Sequence, residues 1–386
     1  MTNEYLVSPS PHLQAGEDIP AIMRGVSLAL APAFLWALYR FGYWAIVVTG
    51  LSVLSAVLTE ALCQRLRGVP VTVDDWSAVV TGLLLAAVIP PNVPWHVPVL
   101  GAAFAVGVAK QCFGGLGANI WNPALLGRAF LQASFGAQIN SGVWPMTRAE
   151  SVWGAVSTSL RGSFQALSER AADVVTRATP LEELKRIVEP AVDAMGGPTA
   201  VLSAPVLPPA AGPWVQQGAV CVTWSRWLDA FLGNVPGSIG EVSALALLLG
   251  GLYLLARKIV SWETPVAFLG TAALLGWMLP ARYLAASGAT AHTGWFAGPG
   301  LYHVVTGGAM IGAFFMATDM VTTPIQRRGQ LVFGAGCGLL TVLIRLYGGY
   351  PEGVCYSILL MNTLVPLIDR YTRARVFGVK KGGARP

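Results

Sequence analysis

The sequence predicts an all-α polytopic membrane protein of about ten transmembrane helices, built as two inverted five-helix repeats with one long extracytoplasmic loop. Three observations predict it. Of the 386 residues, 54% are hydrophobic and 11% charged, and the mean hydropathy is +0.59; soluble domains carry about 25% charged residues. Apolar segments sized for a bilayer core of about 30 Å recur near 22–39, 42–62, 77–91, 96–112, 118–136, 238–256, 263–280, 299–318, 330–347 and 353–369. Basic residues gather at alternate ends of those segments.

The first segments take their orientation from that asymmetry. With the N-terminus in the cytoplasm, the cytoplasmic ends receive Arg24, Arg65, Arg67, Lys110, Arg257, Lys258, Arg327, Arg328 and the tail cations Arg370, Arg373, Arg375, Lys380, Lys381 and Arg385. Only Arg40, Arg282 and Arg345 fall on short outer ends, as the positive-inside rule requires. The expected organisation is a cytoplasmic tail (1–21), a first membrane repeat (22–136), a periplasmic loop (137–237), a second repeat (238–369) and a basic cytoplasmic tail (370–386). The first 20 residues are polar and acidic, unlike a cleavable signal with its basic start and short apolar core. Both termini are expected on the cytoplasmic side of the membrane.

Five segments before the loop and five after it enter the membrane from opposite sides. A faint echo links the halves: TGLLLAAVIPP (81–91) resembles GAFFMATDMVTTP (312–324), and FGGLGANIWNPALL (113–126) resembles YGGYPEGVCYSILL (347–360). Pro90-Pro91 and the glycines at 114, 115 and 117 break helices, which membrane depth tolerates only where the backbone lines an enclosed cavity. A ligand pocket between the halves is the expectation; ordinary loops at span ends are the alternative.

Composition also excludes. The net charge of +6 is spread over span ends, where topology accounts for it, so nucleic acid is not an expected partner. Cys63, Cys112, Cys221, Cys337 and Cys355 lack metal-ligand spacing, and the four histidines are far apart, so neither a protein-ligated metal nor a disulfide framework is expected.

The polar island DVVTRATPLEE (173–183) stands out in the long loop. Thr179-Pro180-Leu181-Glu182 is a capping-box pattern with proline at the first helical position, so Thr179 reads as an N-cap. The same free N–H groups and positive dipole end also make a seat for phosphate. DVVTRATPL resembles the flavinylation motif of the RnfD and NqrB membrane subunits, matched at Asp173, Thr176, Ala178 and Thr179, with Arg177 where glycine is commonest. The segments 113–127, 231–251, 307–324 and 348–378 are similar to RnfD in the right order, and the resemblance runs from about residue 5 to 380.

That resemblance implies FMN esterified through its phosphate to Thr179 by a separate flavin transferase. A rival, Ser287-Gly288-Ala289-Thr290, has Leu284 where the motif needs Asp. The segment after the loop makes Gly237, Ser238 and Glu241 candidates around the FMN, while Glu241 also reads as a carboxylate stabilised at the start of the sixth span. The family implies a second, non-covalent riboflavin, for which the amides of Asn119 and Asn122 are candidates; Asn122 before Pro123 equally reads as a helix cap. Asp319 near the cytoplasmic end of the eighth span is either a functional carboxylate or a partner of Arg327 or Arg328. Glu60 and Lys110 read as snorkelling charges, Gly308 and Gly312 as close packing, and Trp95, Trp262 and Trp295 as an interfacial belt.

The implied role is that of the RnfD component of an Rnf-type complex, coupling electron transfer between ferredoxin-type carriers and NAD to Na+ or H+ translocation. The A, B, C, E and G subunits and the lipid bilayer are the implied partners. No iron–sulfur cysteine motif or dinucleotide glycine fingerprint is present, so the chain reads as a redox subunit rather than a complete enzyme. The alternative is a channel or secondary transporter on the same inverted repeats.

Overall fold

In the computed structural model, the described residues are 18–140, 215–216, 219–220, 224–235, 237–280, 282–284, 290–292, 295–296, 298–348 and 352–372. Asp173, Thr176, Ala178 and Thr179, most of the long loop and the ends of both tails lie outside them.

Helices make the body. The first half holds α1 (Ile19–Phe41), α2 (Tyr43–Leu66), α3 (Ser77–Ala87), α4 (His96–Phe104) continuing as π1 (Ala105–Gln111), α5 (Pro123–Ser134) and the short α6 (Gly136–Ile139). The second holds α7 (Trp224–Leu232), α8 (Ala244–Ala256), α9 (Glu263–Met278), α10 (Gly300–Val305), α11 (Ala309–Ile311) with π2 (Gly312–Met316), α12 (Arg327–Tyr347) and α13 (Val354–Thr372). Two short antiparallel hairpins accompany them: β1 (Val215–Gln216) with β2 (Ala219–Val220), and β3 (Arg282–Leu284) with β4 (Thr290–His292). The rival Thr290 is in β4, its backbone opposite Leu284.

Helices α1, α2 and α12 are each long and apolar enough to cross a membrane. Helix α2 has 24 residues, about 36 Å at 1.5 Å per residue. Its faces are the reverse of a soluble helix. Leu54, Leu58, Leu62 and Leu66, at four-residue spacing, are exposed, while Ser52, Ser55, Glu60 and Gln64 are buried. Large apolar side chains outward and small or polar ones inward is the arrangement for lipid outside and helix packing inside.

Several expected spans are interrupted. Helix α3 stops at Ala87, ahead of Pro90-Pro91, and its 11 residues cover about 16 Å, half a bilayer core. The segment expected at 118–136 becomes helical only at Pro123, because Asn122 caps the helix and proline at N1 has no amide to lose. The segment expected at 299–318 is not one helix. It breaks at Thr306-Gly307-Gly308, where Gly307 has φ 64°, and resumes as α11 and π2.

Packing repeats across the halves. Helix α2 packs on α3 and α4, and α4 on α5; likewise α9 packs on α10 and α12, and α12 on α13. Between the halves, α1 lies against α8 and α5 against α13. The seam of α9 with α12 depends on glycine. A Cβ on Gly334 would meet Thr264 O at 2.5 Å, and one on Gly338 would meet Phe268 O at 2.6 Å. Gly312 likewise gives room to Val354 and Ile358, in keeping with the close-packing reading of Gly308 and Gly312.

Candidate functional site

The start of α5 and the end of π2 meet in the interior, and a cavity of ≈ 90 Å³ lies beside them. Its lining comes from both halves: α1, α3, Lys110, Asn119 and Asn122 from the first, and Leu254, Ile259, Phe314, Thr318 and Asp319 from the second. Three sequence-predicted residues, Asn119, Asn122 and Asp319, are brought together in this wall.

Asn122 does the capping work its position before proline foretold. Its Oδ1 accepts from Ala124 N at 3.0 Å and Leu125 N at 3.3 Å, supplying two of the amides that a helix start leaves open. Its Nδ2 donates to Met316 O at 3.1 Å and so ties α5 to π2 across the halves. Asn119 donates to Trp121 O at 3.3 Å. Among the described residues its carboxamide oxygen has no protein donor, leaving it as the freer amide of the two.

Asp319 departs from the expectation that it pairs with Arg327 or Arg328. Its carboxylate accepts from Thr322 Oγ1 at 3.2 Å and Val321 N at 3.5 Å, closing a local turn after π2. Arg327 instead reaches Glu263 at 3.4 Å. Lys110, across the cavity, attracts Asp319 electrostatically.

Glu60 and Lys110 do not snorkel. Their side chains are 1% and 2% exposed and joined at 2.7 Å. Lys110 Nζ also donates to Ser77 Oγ at 2.6 Å, and Gln111 and Gln64 donate to Glu60 Oε1 at 2.9 and 3.3 Å. A buried pair of this kind survives because further hydrogen bonds join the ion pair; removing one partner strands the other charge at a cost of about 3–5 kcal/mol. The elements α2, α3 and π1 each contribute a member.

A second buried cluster lies where α3 ends and α8 and α13 begin. Glu241 does not start a helix: α8 begins at Ala244, and Ser243 Oγ caps it by accepting from Ala246 N at 3.2 Å. The residues ahead of it pair with the end of α3, Ile239 N donating to Ile89 O at 3.1 Å and Gly240 N to Ala87 O at 2.7 Å. Carbonyls freed by the prolines thus find partners inside the protein. Glu241 is carried inward to Arg128 NH1 at 3.7 Å. Arg128 in turn donates to Val88 O and to the carboxylate of Glu352. Ser238 is buried beside this group and Gly237 is half-buried.

Sequence reasoning missed Arg128 and Glu352. Arg128 stands inside an apolar segment with no partner near it in sequence, and the signal available was its position at membrane depth, where a cation demands one. His303 and Arg345 were missed for the same reason. Both are buried, with Arg345 donating to the carbonyls of His303 and Thr306.

Comparison with known proteins agrees with this architecture. The model of the NQR2, RnfD, RnfE family matches residues 6–378. The D component of the Na(+)-translocating ferredoxin:NAD(+) oxidoreductase complex of Acetobacterium woodii is 42% identical over 97% of this chain and 96% of its own. Its counterpart in the proton-translocating ferredoxin:NAD(+) oxidoreductase complex of Clostridium ljungdahlii is 40% identical over 98% of both chains. The D component of the ion-translocating oxidoreductase complex of Escherichia fergusonii is 36% identical over 98% of this chain and 99% of its own. A match that spans the broken helices and both buried clusters, end to end in family and relatives alike, places the chain: it belongs to the NQR2, RnfD, RnfE family of membrane proteins.

Proposed function

We propose that this chain is the flavin-carrying RnfD component of an Rnf-type complex, in which electron transfer between ferredoxin-type carriers and NAD drives ion movement across the bacterial inner membrane. The observation that carries the reading is full-length similarity, at 42% and 40% identity, to two chains named as the D components of ferredoxin:NAD(+) oxidoreductase complexes. Those two names carry different ions, Na+ and H+, at nearly equal identity. The coupling ion therefore does not follow from likeness.

The finer organisation belongs to the same proposal. Ten spans in two inverted repeats account for the recurrence of packing, α2 on α3 and α4 in one half and α9 on α10 and α12 in the other, with α1 against α8 on the axis between them. Both termini are cytoplasmic and the 137–237 loop is periplasmic, from the distribution of Arg and Lys. Thr179 carries FMN by a phosphoester within the Asp173, Thr176, Ala178 motif, Gly237 and Ser238 approaching it from the following segment. Ser238 and Glu241 are both buried beside Arg128.

The cavity between the halves is the candidate seat of a non-covalent riboflavin. The residues fit in kind: Asn119 offers a carboxamide oxygen, Thr318 and Asp319 further polar groups, and Met23, Val26 and Phe314 an apolar bed. At ≈ 90 Å³ the void is small against the roughly 300–1,000 Å³ of ligand sites, so Met23 or Phe314 must turn aside to admit a three-ring system. A bound flavin supplies one- and two-electron transfer. The chain's own part is to orient the ring through Asn119, exclude water with the α1 side chains and hold Lys110 and Asp319 near it.

The test is flavin fluorescence of the denatured polypeptide on a gel, from cells that also express a flavin transferase. Wild type and Thr290→Val should fluoresce and Thr179→Val should be dark. A dark wild type would return Thr179 to helix capping and remove the covalent flavin from the proposal.

A further inference from the structure

The two carboxylates at Arg128 do not balance. Glu352, at the approach to α13, ion-pairs with Arg128, and Glu241, at the approach to α8, lies 3.7 Å from it. Both carboxyls thus converge on one guanidinium, and Glu241 is acted on electrostatically by Glu352. Their exposures are 4% and 18%, and that of Arg128 is 9%. In direct contact, then, one guanidinium faces two carboxyls. Glu241 Oε2 is buried and meets no donor among the described residues.

The other groups facing the pair do not settle the excess. Ser238 on the Glu241 segment can donate one hydrogen bond, and Cys355 and Tyr356 on α13 are neutral neighbours of the cluster. Arg345 on α12 attracts both carboxylates from a distance without bonding to either: its NH1 and NH2 donate to the carbonyls of His303 and Thr306, and its Nε meets no acceptor among the described residues. His303 itself finds no partner for either ring nitrogen among the described residues. The N-terminal ends of α8 and α13 favour negative charge only weakly. An uncompensated buried charge costs more. Two carboxyls at one guanidinium with a single excess charge meet this by holding one proton between them, as like-charged acids that close cannot both ionise.

We propose that Glu241 and Glu352 form a proton-binding site, a carboxyl pair sharing one proton and held by Arg128 at the junction of the two halves. Nothing in it rests on the flavin assignment. Glu352 is the partly exposed member and exchanges the proton with solvent, while Glu241 is the enclosed one. Gly308 keeps the pair together, since a Cβ there would stand 2.8 Å from Glu241 Oε1.

The test is infrared spectroscopy of the purified full-length protein in lipid at neutral pH, reading the carbonyl stretch of protonated carboxyl groups and its shift in heavy water. Wild type should show a shifting band, and Glu241→Gln and Glu352→Gln should each lose it, because a single carboxylate left beside Arg128 ionises. The band should be the same in sodium and in choline medium. Absence from wild type overturns the proposal, as does loss in only one variant or persistence in both. Disappearance on adding sodium overturns it too, since the excess charge would then be met by a metal cation. Glu352→Gln, at the more exposed position, keeps the test open if Glu241→Gln does not fold.

Discussion

The side chains that matter most in this chain are those the bilayer penalises. Lys110 is fully buried, and its partners Glu60 and Ser77 come from helices 50 and 33 residues away in sequence. Lys110→Met should therefore lower stability by about 3–5 kcal/mol by stranding Glu60. Lys110→Met with Glu60→Leu should lose much less, as measured by thermal unfolding in detergent. Equal losses would mean that the pair is not coupled. Asn122→Ala should cost about 1 kcal/mol for the lost cap, and more for the broken tie to Met316 O. Asn122 was legible because a cap beside proline is a local pattern. The Glu60–Lys110 pair was not, and read alone each residue near a span end looks able to reach water. Nor was the Arg128 cluster, whose three members come from separate approaches to the interior.

At the scale of elements, apolar length reported where helices lie and Pro and Gly reported where they stop, but neither reported which seams close tightly. The sequence reading singled out Gly308 and Gly312, yet Gly334 and Gly338 on α12 make the closer approach to α9. Nothing local separates them, because a glycine matters through what stands opposite. Gly334→Ala should destabilise by about 1–3 kcal/mol, since the new methyl meets backbone that cannot turn away. Gly50→Ala and Gly270→Ala sit in helices with nothing within 4 Å of the added carbon. They should be neutral or stabilise by up to about 1 kcal/mol. Apparent melting temperatures of the three variants by fluorescence-detected size exclusion would decide; a neutral Gly334→Ala would show that α9 and α12 can part without cost. The break at Thr306 to Gly308 escaped for a related reason. A window of apolar residues keeps its mean across a three-residue interruption, and only the glycine doublet hinted at it.

Over the whole molecule, three helices among the described residues meet the length and apolarity of a span alone, yet the interior is built from shorter pieces. Half-length helices suit a membrane protein only if their ends meet inside it, and here they do. The end of α3 is closed by residues 239 and 240, and the start of α5 is tied to π2. Each such junction joins one half to the other, so the halves fold as one body whose two sides expose different loops. The proposed orientation rests on charge: the tail after α13 carries Arg373, Arg375, Lys380, Lys381 and Arg385, whereas Arg282 is the one cation in the short loop after α9. The topology follows as an expected outcome of labelling. With the native cysteines replaced, a membrane-impermeant maleimide applied to intact spheroplasts should modify Ser151→Cys in the long loop. Ser8→Cys and Ala384→Cys should react only after the membrane is opened. Labelling of either tail in sealed cells would reverse or break the five-and-five arrangement, and with it the inverted relation of the halves. Labelling of position 151 alone would put the loop that contains Thr179 on the periplasmic side, as the proposed attachment of FMN requires.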